Sequence, residues 1–253
     1  FLPISVPFLL LLYIANQRRA AFISLAIALV LLVVVLFIDN RKAFYIVAPP
    51  LFVVAVVYLS IFWNSSGAIG LPARAIKSVF VPDQATYRDQ ASNAYRVIEN
   101  INTGFTVHQK PLTGVGFGQM FYILVPMADI SFFIWWQYLP HNSIIWIWLK
   151  MGVGGFCAML FLVGSTILTG TRVFLRMPKN YLRAFALTAT LYIIMHFIYA
   201  YVDISWDTQS MLFVGAMIGI LNGLERIAAQ PVPAIVKRWP WQPEPEPEPE
   251  MLS

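Results

Sequence analysis

Charge is scarce in this sequence: Asp, Glu, Lys and Arg make up 11% of its 253 residues, against about 25% in soluble globular chains. That shortage excludes a soluble domain with an ordinary solvated surface. The single cysteine, Cys157 in GGFCAML, excludes an internal disulfide; it has no CxxC partner for zinc, and core packing is its expected role. No GK[ST] follows any glycine turn, which excludes a P-loop. The acids Asp83, Asp89, Glu99 and Asp129 are scattered and no DxD or His/Cys cluster occurs, so neither a metal nor another cofactor is expected. Nothing suggests a nucleic-acid partner. Phe1 is followed at once by apolar residues, with no initiator methionine or basic n-region, so the chain reads as the C-terminal part of a longer polytopic protein.

What is abundant is hydrocarbon. Hydrophobic residues fill 59% of the chain and mean hydropathy is +0.70. Apolar windows fall near 2–15, 20–38, 43–63, 142–166, 184–201 and 208–224, most of them near the roughly 20 residues that cross a bilayer core. The expected fold is an all-α polytopic membrane protein with five or six transmembrane helices and one large, partly helical periplasmic segment. Its regions would be N-terminal transmembrane helices (1–63), the periplasmic segment (64–141), C-terminal transmembrane helices (142–226) and a cytoplasmic tail (227–253). The tail ends in PEPEPEPE, an extended, solvated repeat to which no function is assigned.

Lys and Arg in short loops set orientation. Arg41 and Lys42, the group Arg172, Arg176, Lys179 and Arg183, and the C-terminal Arg226, Lys237 and Arg238 share one side, read as cytoplasmic. DISWD at 203–207 and the whole 64–141 segment then lie outside. Arg18 and Arg19 break the rule by landing outside as well. Either the count is off by one span, or an anion on the outer face needs them.

Within the outer segment, YRDQASNAYRVIENINTGFTVHQ (87–109) has the period of an amphipathic helix. Arg88, Ser92 and Arg96 share one face, with Ala91, Tyr95 and Ile98 on the apolar side. Locally, Arg96 has a plain explanation in an i,i+3 pair with Glu99, and Arg88 another beside Asp89 and Asp83. The turn KPLTGVGFGQ follows, where Gly114, Gly116 and Gly118 permit close backbone approach to a ligand or simply a tight turn. Then PHNS at 140–143 places His141 at the mouth of an apolar run.

Arg96, Pro111, GVGFG at 114–118, PHNS at 140–143, and Gly152 and Gly154 in the next span together resemble the signature of the O-antigen ligase/polymerase superfamily. RRAAFISLAIAL at 18–29 is similar to that family's arginine-led start of a span, with Arg19 at the arginine position. The likeness covers roughly residues 15–165. It departs where the family often carries an aromatic, four residues after the helix arginine; here that position is Asn100. The resemblance implies a multi-spanning enzyme of the bacterial inner membrane, working without metal. Such an enzyme moves a glycan from an undecaprenyl-diphosphate donor to an acceptor hydroxyl on lipid A core sugar, another glycan or a protein.

That chemistry suits these residue types. Guanidiniums meet phosphate oxygens in forked, charge-assisted hydrogen bonds, the task implied for Arg96 and Arg19. An imidazole can take a proton from a hydroxyl near neutral pH, the task implied for His141. Asn142 would orient that ring or, preferably, cap the following helix. Arg88, the three glycines and Lys150 are supporting candidates; Lys150 would snorkel, meet a carboxylate or hold the diphosphate. His108 reads as surface, and His196 in YIIMHFIYA as a satisfied interhelical partner of Tyr192 or Asp203. Inversion by single displacement is expected. The rivals are an O-antigen polymerase or protein O-oligosaccharyltransferase of the same superfamily, a transporter or flippase of a lipid-linked anion, and a non-catalytic assembly subunit.

Overall fold

The computed structural model describes residues 2–15, 18–65, 67–81 and 86–229. Asp83, Lys237, Arg238 and the Pro/Glu tail lie outside the described residues. The described chain is all-helical: α1 (Leu2–Ala15), α2 (Arg19–Asp39), α3 (Arg41–Phe62), α4 (Leu71–Phe80), α5 (Tyr87–Gln109), α6 (Ser143–Arg176), α7 (Tyr181–Val202) and α8 (Thr208–Ala229). Five of them, α2, α3, α6, α7 and α8, are long and apolar enough to cross a membrane. The chain is a multi-pass membrane protein; α1, at 14 residues, falls short of a span.

Helices α2 and α7 run antiparallel, and an ion pair closes each end of the pair. At one end Arg18 Nη1 stands 3.4 Å from Asp203 Oδ2. At the other, Arg183 Nη2 pairs with Asp39 and Lys179 Nζ donates to the Asp39 carbonyl oxygen. Between them, α6 and α7 approach closely through small residues. Ala186 and Ala189 are buried, and a Cβ on Gly170 would stand 2.1 Å from Thr190 Oγ1. Small residues at such a crossing let dispersion act where water gives no hydrophobic drive. Cys157 is exposed on α6 instead of packed in the core.

The amphipathic helix has the bounds its period predicts, and Thr86 caps it by accepting from Asp89 N–H. Its buried side is polar, which the apolar reading of Ala91, Tyr95 and Ile98 missed: Glu99, Asn102, Thr103 and Thr106 are all buried. Asn102 and Thr106 hold the returning chain as a strand partner would. Leu124 and Val125 N–H donate to Asn102 Oδ1 at 2.9 and 2.8 Å, and Tyr122 N–H to Thr106 Oγ1 at 2.8 Å. Burying these groups is tolerable because each is paired.

Helix α6 breaks at Gly152, whose φ of 66° lies in the left-handed region. The glycine turn fits into this break. Gly116 N–H donates to the Lys150 carbonyl at 3.1 Å, and Val153 N–H reaches back to Pro111 O at 2.9 Å. A Cβ on Gly152 would stand 2.0 Å from Leu112 O, whereas Gly154 has open space around it. Gly152→Ala is therefore expected to destabilise by more than the roughly 1–2 kcal/mol of left-handed strain alone. Gly154→Ala, free of any clash, is expected to be neutral or slightly stabilising. Thermal unfolding of the two variants in detergent reads the difference; equal melting temperatures would refute the packing described.

Candidate active site

At the end closed by Arg18 and Asp203, five arginines converge. Arg18 and Arg19 come from the start of α2, Arg74 from α4, and Arg88 and Arg96 from one face of α5; together they line a cavity of about 360 Å³. Two carboxylates, Asp89 and Asp203, also face it, so guanidiniums outnumber acids five to two. Arg19 is held by Asp89 (Nε to Oδ1, 3.4 Å) and donates to Asn93 Oδ1 at 3.1 Å. Asp203, with its side chain 3% exposed, lies 3.4 Å from Arg18 and 3.6 Å from Arg96. Arg96 thus pairs with Asp203 from the far end of α7, not with Glu99 one turn along its own helix. Likewise Asp89 serves Arg19 and leaves Arg88 to line the cavity.

Glu99 instead reaches His141, 42 residues later. Its Oε2 accepts the His141 backbone N–H at 2.7 Å and lies 3.0 Å from Nδ1, with Oε1 at 3.2 Å from the same nitrogen. Glu99 is 1% exposed. An ionised carboxylate only accepts hydrogen bonds, so a neutral imidazole here carries its proton on Nδ1 and presents the lone pair of Nε2. The Tyr95 ring packs edge-on against the imidazole, centroids 5.8 Å apart. Burial, then the nearby Glu99 charge, push the Tyr95 hydroxyl up to about 12, so it remains a donor at neutral pH.

His141 lines a second cavity of about 230 Å³ together with Asn93, Arg96, Asn100, Asn142 and Tyr201. Arg96 is common to both cavities. Asn142 caps α6, its Oδ1 accepting from Ile145 N–H at 3.1 Å. The structure therefore brings Arg19, Arg88, Arg96, His141 and Asn142 to one end of the molecule.

The remaining candidates stand elsewhere. Gly114, Gly116 and Gly118 line neither cavity; the turn is occupied with the break in α6. Lys150 is 2% exposed and donates its Nζ to the Gln119 carbonyl, so it neither snorkels, nor pairs with a carboxylate, nor faces the arginines. Its ammonium is spent on a backbone carbonyl of the turn. His108 donates within its own helix, Nδ1–H to Gly104 O at 2.7 Å, and is exposed. His196 meets Ser205 Oγ at 2.9 Å, a partner other than the two expected. Glu99, Arg74 and Asp203 are not among the site residues the sequence suggests, whereas Arg18 is, beside Arg19. Glu99 was hidden by its local alternative, while Arg74 in LPARAIK had no motif around it.

A profile of the O-antigen ligase family matches residues 4–160, well over half the chain, including Arg19, Arg96, Glu99 and His141. No match is found among curated proteins or among solved structures.

Proposed function

The chain belongs to the O-antigen ligase family, and from that premise we propose that it transfers a glycan from an undecaprenyl-diphosphate donor to an acceptor hydroxyl at the arginine-rich end. We place that end on the periplasmic face of the bacterial inner membrane. The arrangement that supports this reading is Arg96, shared by an anion-attracting cavity and the cavity of an imidazole held by a buried carboxylate. Positive charge on a translocated end is disfavoured, and a ligand diphosphate is what justifies five guanidiniums there.

In the proposed step the acceptor oxygen attacks the anomeric carbon while its proton passes to His141 Nε2. The bond from that carbon to the diphosphate oxygen breaks, its electron pair leaving on undecaprenyl diphosphate, and the new glycosidic bond has inverted configuration. Arg96 and Arg19 neutralise the charge gathering on the diphosphate, with Arg18, Arg74 and Arg88 adding to the field. Glu99 holds the ring and its tautomer and steadies the imidazolium that forms, as the carboxylate does in other histidine bases. No step calls on a metal.

The direct test is purified protein in proteoliposomes given lipid-linked glycan. The expected result is undecaprenyl diphosphate released together with a glycan on a new acceptor. Donor moved across the bilayer with no new glycosidic bond would sink the reading in favour of a transporter. Within the same assay, Glu99→Gln is expected to lower the rate by roughly 10²–10⁴-fold, because an amide can donate to Nδ1 and turn the protonated nitrogen outward. A rate within threefold of wild type would remove Glu99 from the mechanism.

A further inference from the structure

Asn100, a residue lining the cavity beside His141, has a polar atom with nothing to bond. Its Oδ1 is buried without a hydrogen-bond partner. The other amides there are engaged: Asn93 Oδ1 accepts from Arg19, and Asn142 Oδ1 caps α6. A buried amide oxygen left unpaired is destabilising, and a ligand that supplies the missing partner removes that cost. Tyr201 stands at the lip of the same cavity, 62% exposed. Its ring offers an apolar face to whatever enters, and its hydroxyl a hydrogen bond.

Resting on the proposed glycan transfer, we propose that Asn100 is an acceptor-binding, specificity-determining residue, and that the acceptor it selects is a sugar presenting two adjacent ring hydroxyls. A carboxamide has a donor NH₂ and an acceptor oxygen side by side. That pair complements a hydroxyl neighbouring the one His141 deprotonates. The C–H face of a pyranose then lies toward the Tyr201 ring. A serine or threonine side chain has one hydroxyl, which His141 would use, leaving Asn100 as unpaired as before. Sites built to hydrogen-bond a substrate hydroxyl reject analogues lacking it, because the protein's polar group is then stranded.

The test uses the full chain in proteoliposomes, with lipid-linked glycan as donor and three probes as acceptors: methyl hexosides, their deoxy analogues lacking the neighbouring hydroxyl, and a serine-containing peptide. Asn100→Leu keeps the volume and removes the hydrogen bonds. Wild type is expected to show an acceptor KM roughly tenfold higher for the deoxy sugar than for the parent, with kcat within about threefold. The variant is expected to show the same raised KM for both sugars, so that the two deletions do not compound. Penalties that simply multiply, or an unchanged KM for the parent sugar, would overturn the inference, as would transfer to the peptide with none to the hexosides. In each of these cases transfer itself persists and still depends on His141. Failure of wild type to form any glycosidic bond brings down the proposed function and this inference with it.

Discussion

Replacing His141 by alanine is expected to lower the rate of glycan transfer by about 10²–10⁴-fold, the usual contribution of a positioned general base. Misfolding is a poor alternative explanation for such a loss, and the reason lies in the geometry. The shortest contact of Glu99 is to the His141 backbone N–H, at 2.7 Å, and alanine keeps that N–H. The chain entering α6 therefore stays tied to α5, and Asn142 still caps the helix. The variant is expected to melt within a few degrees of wild type, while binding donor as before. His108→Ala, which alters an exposed ring hydrogen-bonded within its own helix, is expected to transfer at the wild-type rate. Added imidazole should recover part of the lost activity by diffusing into the vacated cavity. Transfer by the alanine variant at more than a tenth of the wild-type rate would remove His141 as the base.

The residue Glu99 shows where reading a sequence stops. Its helix was legible from its amphipathic period, a local signal, while the Thr86 cap that starts it emerged with the structure. Its partner was not. Arg96 lies one turn away, a sufficient explanation within α5, whereas His141 and Asp203 become neighbours only after α6 and α7 have packed. Opposite charges close in sequence compete with opposite charges close in space, and composition cannot decide between them. The glycine turn was legible only in part. Its need for glycine was visible, but its reason was a second glycine, Gly152, that opens α6 to receive it. The five spans, by contrast, follow from hydrocarbon length alone, so the fold was far more legible than the pairings that build the site.

Arg96→Ala carries the other large expected effect. Of the two arginines nearest Asp203, Arg96 is the one that also lines the cavity of His141. Loss of one preorganised cation facing the departing diphosphate is expected to reduce kcat/KM for the donor by about 10²–10³-fold. Arg96→Lys should recover only part of this, since an ammonium is a point charge without the guanidinium fork. A structural alternative must be separated, because Asp203 is buried and removing its partner strands a carboxylate. Arg18, at 3.4 Å, remains to hold it, and the double variant Arg96→Ala with Asp203→Asn abolishes the stranded charge altogether. If Arg96 served only to neutralise Asp203, the double variant would regain activity. Because Arg96 is assigned to the diphosphate, the double variant is expected to stay at least 10²-fold impaired while melting no lower than the single one. Arg176→Ala, at the opposite end and paired with Glu225 on the surface at 3.9 Å, sets the baseline, with donor kinetics expected to match wild type. Recovery in the double variant would leave the phosphate to the other four arginines and separate the two cavities that Arg96 joins.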